Sequence, residues 1–221
     1  MRIEALLFDF GGTLDADGVA WKDRFAALFR EEGLAVPAER FDRAFYAADD
    51  ALVGAVPRDL SLGETVERLS RSVASGLEAG PEAGDRVAAR FLDDSRAKLE
   101  ENARLLERLS SRFRLGVVSN FYGNLEAVCA DAGLAPHLGV AVDSAAVGFE
   151  KPDPRIFEAA LSALGARAGA AVFVGDSLPR DMEGARRLGM PHVWLKPGES
   201  RACCPEDAVI ASLAALPEVL L

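Results

Sequence analysis

Apolar residues fall along this chain in two rhythms, and the change between them divides it. Ile3 to Phe10 is a short, nearly unbroken apolar run ended by Gly11-Gly12, the pattern of a buried strand stopped at a turn. From Val19 the period lengthens. Trp21, Phe25, Leu28 and Phe29 fall at i, i+4, i+7 and i+8, one stripe of an amphipathic helix that Gly33 and Pro37 end. A second helix is predicted from about Ala38 to Leu52, with Phe41, Phe45 and Ala48 on one side. Ser61-Leu62-Gly63-Glu64 has the form of a capping box and opens a third helix reaching about Leu77. Pro81 stands where a first-turn proline belongs, and a fourth helix carries Val87, Phe91 and Leu92. Residues 16 to about 96 thus predict helices with no strand among them.

The second rhythm begins with a strand over Arg114 to Ser119 and a helix over Asn124 to Ala132. A short strand, Gly139 to Val142, leads through a loop holding Lys151 to a helix over Pro154 to Leu164. Strand Ala171 to Gly175, a helix over Arg180 to Leu188 and strand Pro191 to Leu195 follow, and residues 207–221 are expected to pack a last helical segment on the sheet. Strands alternating with helices of this length predict βαβ units, a parallel sheet and right-handed crossovers. The expected class is α/β: a core of residues 1–15 and about 97–221, interrupted by an all-helical insertion over 16–96.

Composition narrows the partners. Half of the 221 residues are hydrophobic, enough for a sizeable core. The net charge of −10 argues against nucleic acid and anionic membranes, both of which need a basic surface. A phosphorylated ligand would also be repelled at long range, so its site would need a metal and local cations. The lysines are only Lys22, Lys98, Lys151 and Lys196, so a lysine in a tight Lys-Pro-Asp-Pro loop stands out. Cys129, Cys203 and Cys204 are odd in number and in no metal-ligand spacing, which points to a reducing compartment without structural disulfides. His137 and His192 form no metal or catalytic spacing. The N-terminus has no signal-peptide pattern and no run of 18 apolar residues occurs, so a cytoplasmic location is expected, as a monomer or homodimer.

Four polar positions each follow a short apolar run or open a loop beside one: Asp9, Ser119, Lys151, and Asp176 with Asp181 five residues on. In an open α/β sheet, ligands bind outside the carboxyl ends of the strands, so residues far apart in sequence can meet in one crevice. Carboxylates, a hydroxyl and an ammonium suit Mg2+ and a phosphoryl group. Each also has a plainer use. Asp9 suits a turn over Gly11-Gly12-Thr13, Ser119 and Asp176 suit helix caps, and Lys151 suits a solvated surface. Taken together, they predict Asp9 as a carboxylate nucleophile, Asp9 and Asp176 as metal ligands with Asp181 close by, and Ser119 bonded to a phosphate oxygen. Lys151 would neutralise phosphate and nucleophile, and the Gly11 and Gly12 amides could approach phosphate closely.

Asp9-Phe10-Gly11-Gly12-Thr13-Leu14, Ser119-Asn120, Lys151-Pro152 and Gly175-Asp176-Ser177 with Asp181 resemble the four motifs of the haloacid dehalogenase-like (HAD) hydrolase superfamily. The similarity is to the phosphoglycolate phosphatase-like and dehalogenase-like branch with a helical cap after the first motif. It implies a Rossmann-like core, a small phosphorylated metabolite as substrate, phosphoryl transfer to Asp9 and then to water, and Mg2+ held by Asp9, the Gly11 carbonyl and Asp176. Ser119, Asn120 and Lys151 become the phosphate binders. The chain departs from the phosphatase pattern at Gly11, where that pattern has an aspartate acting as general acid. Asp15 or Asp17 are the nearby substitutes, and a leaving group that departs easily would need the acid less. Loss of a general acid typically costs on the order of 10²–10⁴ in rate, so a slow or selective enzyme is expected. A metal-independent 2-haloacid dehalogenase and a non-catalytic binding protein are the alternatives. Trp21, Arg24, Tyr46 and Arg58 are the cap candidates for selecting substrate.

Overall fold

The computed structural model describes residues 2–199 and 208–220. Its centre is a parallel sheet of six strands: β1 (Ala5–Phe8), β2 (Arg114–Ser119), β3 (Val140–Asp143), β4 (Ala171–Gly175), β5 (His192–Leu195) and β6 (Ala208–Ile210). They lie in the order β3-β2-β1-β4-β5-β6. β1 is therefore central, with Phe8 opposite Val117 on one side and Val174 on the other. This is the Rossmann-like arrangement, and the strand order reverses beside β1.

The alternation of side chains along β1 builds two cores. Ala5 and Leu7 face one apolar layer, closed by Ile156, Phe157 and Ala160 of α7 (Pro154–Leu164) and Ala185 of α8 (Glu183–Arg187). Leu6 and Phe8 face the other, covered by α4 (Pro81–Ser110) and α5 (Leu125–Asp131). That second layer continues without interruption into the inserted helices α1 (Trp21–Glu31), α2 (Ala38–Leu52) and α3 (Leu62–Gly76). Phe25, Phe29, Phe41, Phe45 and Phe91 form a chain of ring contacts there.

Helix α4 is one rod of 30 residues and crosses position 96, where the insertion is expected to end. Leu99, Leu105, Leu106 and Leu109 carry on the buried stripe of Val87, Phe91 and Leu92, so nothing in the pattern stops the helix before Ser110. At the other end of the chain, a strand stands where a helical segment is expected. Ala208, Val209 and Ile210 pair in parallel with β5, and the expected helical segment is confined to a 3-10 turn (Leu213–Ala215) and the short α9 (Leu216–Leu220). Two β-branched residues beside an open sheet edge favour strand pairing over an isolated helical turn. Cys203, Cys204 and Asp207 lie outside the described residues. A short helix α6 (Ser144–Val147), capped by Asp143, follows β3 before the Lys151 loop. Among the described residues no helix is long and apolar enough to cross a membrane.

Candidate active site

Three neighbouring strand ends carry the polar residues singled out in the sequence. Asp9 directly follows β1, and its N–H still pairs to the Val174 carbonyl at 2.9 Å, so its position is fixed by the sheet. Ser119 is the last residue of β2, and Asp176 directly follows β4. The side chains converge. Asp9 Oδ1 accepts from Ser119 Oγ at 2.8 Å and from Lys151 Nζ at 2.7 Å. Lys151 Nζ also donates to Asp181 Oδ1 at 2.7 Å, so one ammonium bridges two carboxylates. Asp181 Oδ2 accepts from the Ser177 N–H at 2.9 Å. Asp9, Asp176 and Asp181 each offer an oxygen within 4.8 Å of the others.

This cluster is expensive to bury, and burial and mutual charge move its groups off their ordinary values. Burial lifts the Asp176 carboxyl to about 7, with the Asp9 and Asp181 charges adding to the effect. Burial lifts Asp181 too, with Lys151 pulling against it. For Lys151, burial alone would lower the ammonium, but Asp181 and Asp9 overcome it and hold it above its ordinary value. Three carboxylates around one ammonium leave a surplus of negative charge that a divalent cation would relieve, and hard oxygens in small number suit Mg2+. Two glycines permit the crowding. A Cβ on Gly175 would lie 2.4 Å from Asp181 Oδ2, and Gly12, at φ +87°, would put one 2.7 Å from Asp176 Oδ2.

The remaining expected residues take different places. Asn120 clasps the Lys151 backbone, accepting its N–H at 2.7 Å and donating to its carbonyl at 3.1 Å. It therefore positions the lysine, whose peptide bond to Pro152 is cis. The Gly12 N–H is committed to Asp15 Oδ1 at 2.7 Å and so is taken by the protein itself. Asp15 is buried away from the cleft, where Trp21 Nε1 (2.7 Å), Arg24 (2.8 Å) and Ser95 (3.3 Å) also bond it. Asp17 pairs with Lys98 at 2.7 Å and also lies off the cleft. Neither aspartate is placed to protonate a leaving group. Gly11 faces Trp21, whose indole fills the space a side chain there would enter: a Cβ would meet Nε1 at 3.2 Å and Cδ1 at 3.4 Å.

A cleft of about 380 Å³ opens above Asp9, Lys151 and Asp176. Of the four cap candidates, Trp21 and Tyr46 line it; Arg24 is spent on Asp15, and Arg58 is not part of the lining. Asp49 and Tyr122 also face it, and the Tyr122 hydroxyl donates to Asp49 Oδ1 at 2.5 Å. Sequence reasoning missed three supports of the site. Thr13 Oγ1 reaches Asp176 Oδ1 at 3.3 Å, Trp194 Nε1 holds the Asp176 carbonyl at 2.9 Å, and Asp143 accepts from the Gly123 and Leu125 N–H groups at 2.8 and 3.1 Å. Thr13 sits in a motif already quoted, and Asp143 ends a strand as Asp9 does. Trp194 gave no signal, because it reads as one more apolar strand residue.

The sequence profile described as haloacid dehalogenase-like hydrolase matches residues 3–189. The chain is 31% identical over 212 residues to a phosphoserine phosphatase of Thermus thermophilus, covering 92% of this chain and 84% of the relative. It is 28% identical over 236 aligned positions to a protein of Mycobacterium tuberculosis named phosphatase MT3486, covering 100% and 98%. The crystal structure of a 2-haloacid dehalogenase from Pseudomonas syringae superposes with a TM-score of 0.56 at 26% identity, over 99% of this chain and 98% of that one.

Proposed function

The chain belongs to the haloacid dehalogenase-like hydrolase family, and on that premise we propose that it is a Mg2+-dependent phosphatase acting on a small phosphorylated metabolite through an aspartyl-phosphate at Asp9. One observation carries the reading: Asp9, Asp176 and Asp181 converge on the cleft floor with Lys151 bridging two of them. Asp9 Oδ1 is held by Ser119 and Lys151, which leaves Oδ2 as the nucleophilic oxygen. Ser119 and Lys151 then lie where the oxygens of an incoming phosphoryl group arrive, and the ammonium offsets the charge that builds up during transfer. Asn120 serves the reaction by fixing Lys151. Asp181 does so by anchoring the other side of the same ammonium.

Mg2+ would be held by Asp9, Asp176 and the Gly11 carbonyl, with Asp181 behind them, and would supply positive charge for the phosphoryl oxygens. Arg180, which also acts on Asp49, and Lys196 are exposed at the cleft and offset the repulsion that a chain of charge −10 exerts on an anionic substrate. The similarity to two phosphatases supports the same assignment. The test is hydrolysis of 4-nitrophenyl phosphate. Turnover is expected to need Mg2+ and to disappear in Asp9→Asn; turnover that persists in that variant removes Asp9 from the mechanism. Gly11 and the likeness to a 2-haloacid dehalogenase favour a second reading. Chloride release from a 2-haloacid in the presence of a chelator would move the assignment there.

A further inference from the structure

The place where a proton donor would stand beside the leaving group is filled by an indole. Trp21 packs against Gly11, and its one N–H is committed to Asp15. Trp21 also begins an aromatic wall. Phe121 meets it edge-on with centroids 5.8 Å apart, and Tyr122 lies 4.8 Å from Phe121. Phe45 and Tyr46 (centroids 5.8 Å apart) extend the lining toward solvent, where Tyr46 is 49% exposed. So large an aromatic share is unusual in a chain that is 7% aromatic, and it lines the same cleft as Asp9 and Lys151. A lost acid and an aromatic wall fit one chemistry.

Building on the phosphatase reading above, we infer that the cleft is specific for phosphate esters of aromatic alcohols, whose ring packs on the Trp21–Phe121–Tyr122 wall and departs as a phenolate without a protein proton donor. In the first step Asp9 Oδ2 bonds to phosphorus as the bond between phosphorus and the ring oxygen breaks, and the electron pair leaves on that oxygen. Water then attacks phosphorus, the carboxylate is restored and inorganic phosphate forms; the proton given up by water reaches the phenolate through solvent. A phenolate, with a conjugate acid near pKa ~10, can leave in this way. An alkoxide is about as basic as hydroxide, whose conjugate acid is ~15.7, and cannot leave readily unprotonated. The wall supplies the rest, because offset and edge-to-face ring contacts add to simple burial.

The experiment compares phenyl phosphate with its saturated counterpart, cyclohexyl phosphate, and with substituted phenyl phosphates, all with Mg2+. The structure leads us to expect kcat/KM to fall steeply with leaving-group basicity. The cyclohexyl ester should be slower by roughly the 10²–10⁴ that a missing acid costs. Tyr46→Ala, at an exposed position that folding tolerates, should raise KM for the phenyl ester by roughly 2- to 10-fold and that for the cyclohexyl ester by less, since only the aromatic ring gains more than simple burial; an equal rise for both esters, or none for the phenyl ester, overturns the inference. A cyclohexyl ester turned over within a few-fold of the phenyl ester overturns the inference while the phosphatase reading stands. If Asp49→Asn then made the profile steep, Asp49 would be the acid, and the inference would be equally wrong. No turnover of any ester would remove the phosphatase reading, and this inference with it.

Discussion

A single ammonium organises the cleft floor. Lys151 is 3% exposed and serves Asp9 and Asp181 at once, so replacing it with methionine leaves two buried carboxylates without their cation. Stranding a buried charge costs about 3–5 kcal/mol, and Lys151→Met should show a loss of that order in urea unfolding, along with lost turnover. Lys151→Arg is no rescue, since a planar fork cannot replace a compact ammonium between two oxygens 2.7 Å away. Cys129 is inert by the same logic of burial, which pushes its thiol up to about 12. A thiol reagent should reach Cys129 only on the timescale of unfolding, read by peptide mapping that separates it from Cys203 and Cys204; prompt labelling at Cys129 in the native protein would contradict that. Asp9, Ser119, Lys151, Asp176 and Asp181 could be picked out in the sequence because each is a polar residue stopping or flanking an apolar run. Gly12 could not be judged that way. Whether its N–H is free depends on a carboxylate three residues on, and only the folded turn shows that Asp15 takes it.

Helix ends followed sequence chemistry closely where a side chain marks them. The Ser61–Glu64 capping box forms as expected, with the Ser61 hydroxyl accepting from the Glu64 N–H at 3.2 Å and the Glu64 carboxylate accepting from the Ser61 N–H at 3.1 Å. Ser61→Ala should lower stability by about 1 kcal/mol, read from denaturant midpoints. At α7, Asp153 caps the helix and pairs with Arg155, which together hold its carboxyl down to about 2. A carboxyl depressed in the folded state stabilises above its unfolded pKa and loses that effect as pH falls through the folded value. The melting temperature of Asp153→Ala should therefore lie below that of the natural protein near neutral pH, with the gap closing between about pH 4 and 2. Short elements were not legible. The three residues of β6 and the four of α6 are too few to show a period, and the far half of α4 hid behind the charges of Lys98, Glu100, Glu101 and Arg104.

At the scale of the molecule, helices and sheet are tied at several points around the cleft. Tyr122 bonds Asp49, the Gly54 N–H reaches the Tyr122 carbonyl at 2.9 Å, and Asn124 Nδ2 donates to the Leu60 carbonyl and Thr65 Oγ1 at 2.9 and 2.8 Å. The apolar layer is continuous across the same boundary. A cation that relieves the carboxylate cluster should tighten the whole assembly. Adding Mg2+ at about 100 times its dissociation constant should stabilise the protein by about 2.7 kcal/mol, seen as a rise in Tm. Asp176→Asn should abolish that rise; an equal rise in the variant would put the ion elsewhere.

The unbroken course of α4 reaches beyond the site. Thirty residues make a rod of about 45 Å, and its buried face runs from Val87 through Ser95 and Asn102 to Leu109 in a single phase. Ser95 grips Arg24 and Asp15, while Asn102 donates to the Leu14 carbonyl at 2.8 Å, so mid-rod side chains clamp the segment that follows Asp9. Anyone exchanging the helical layer between relatives must therefore move this rod entire. A splice at 96–97 would weld two half-helices of foreign register in the middle of that clamp and shift Leu14 and Asp15, whereas a splice after Ser110 would leave it whole.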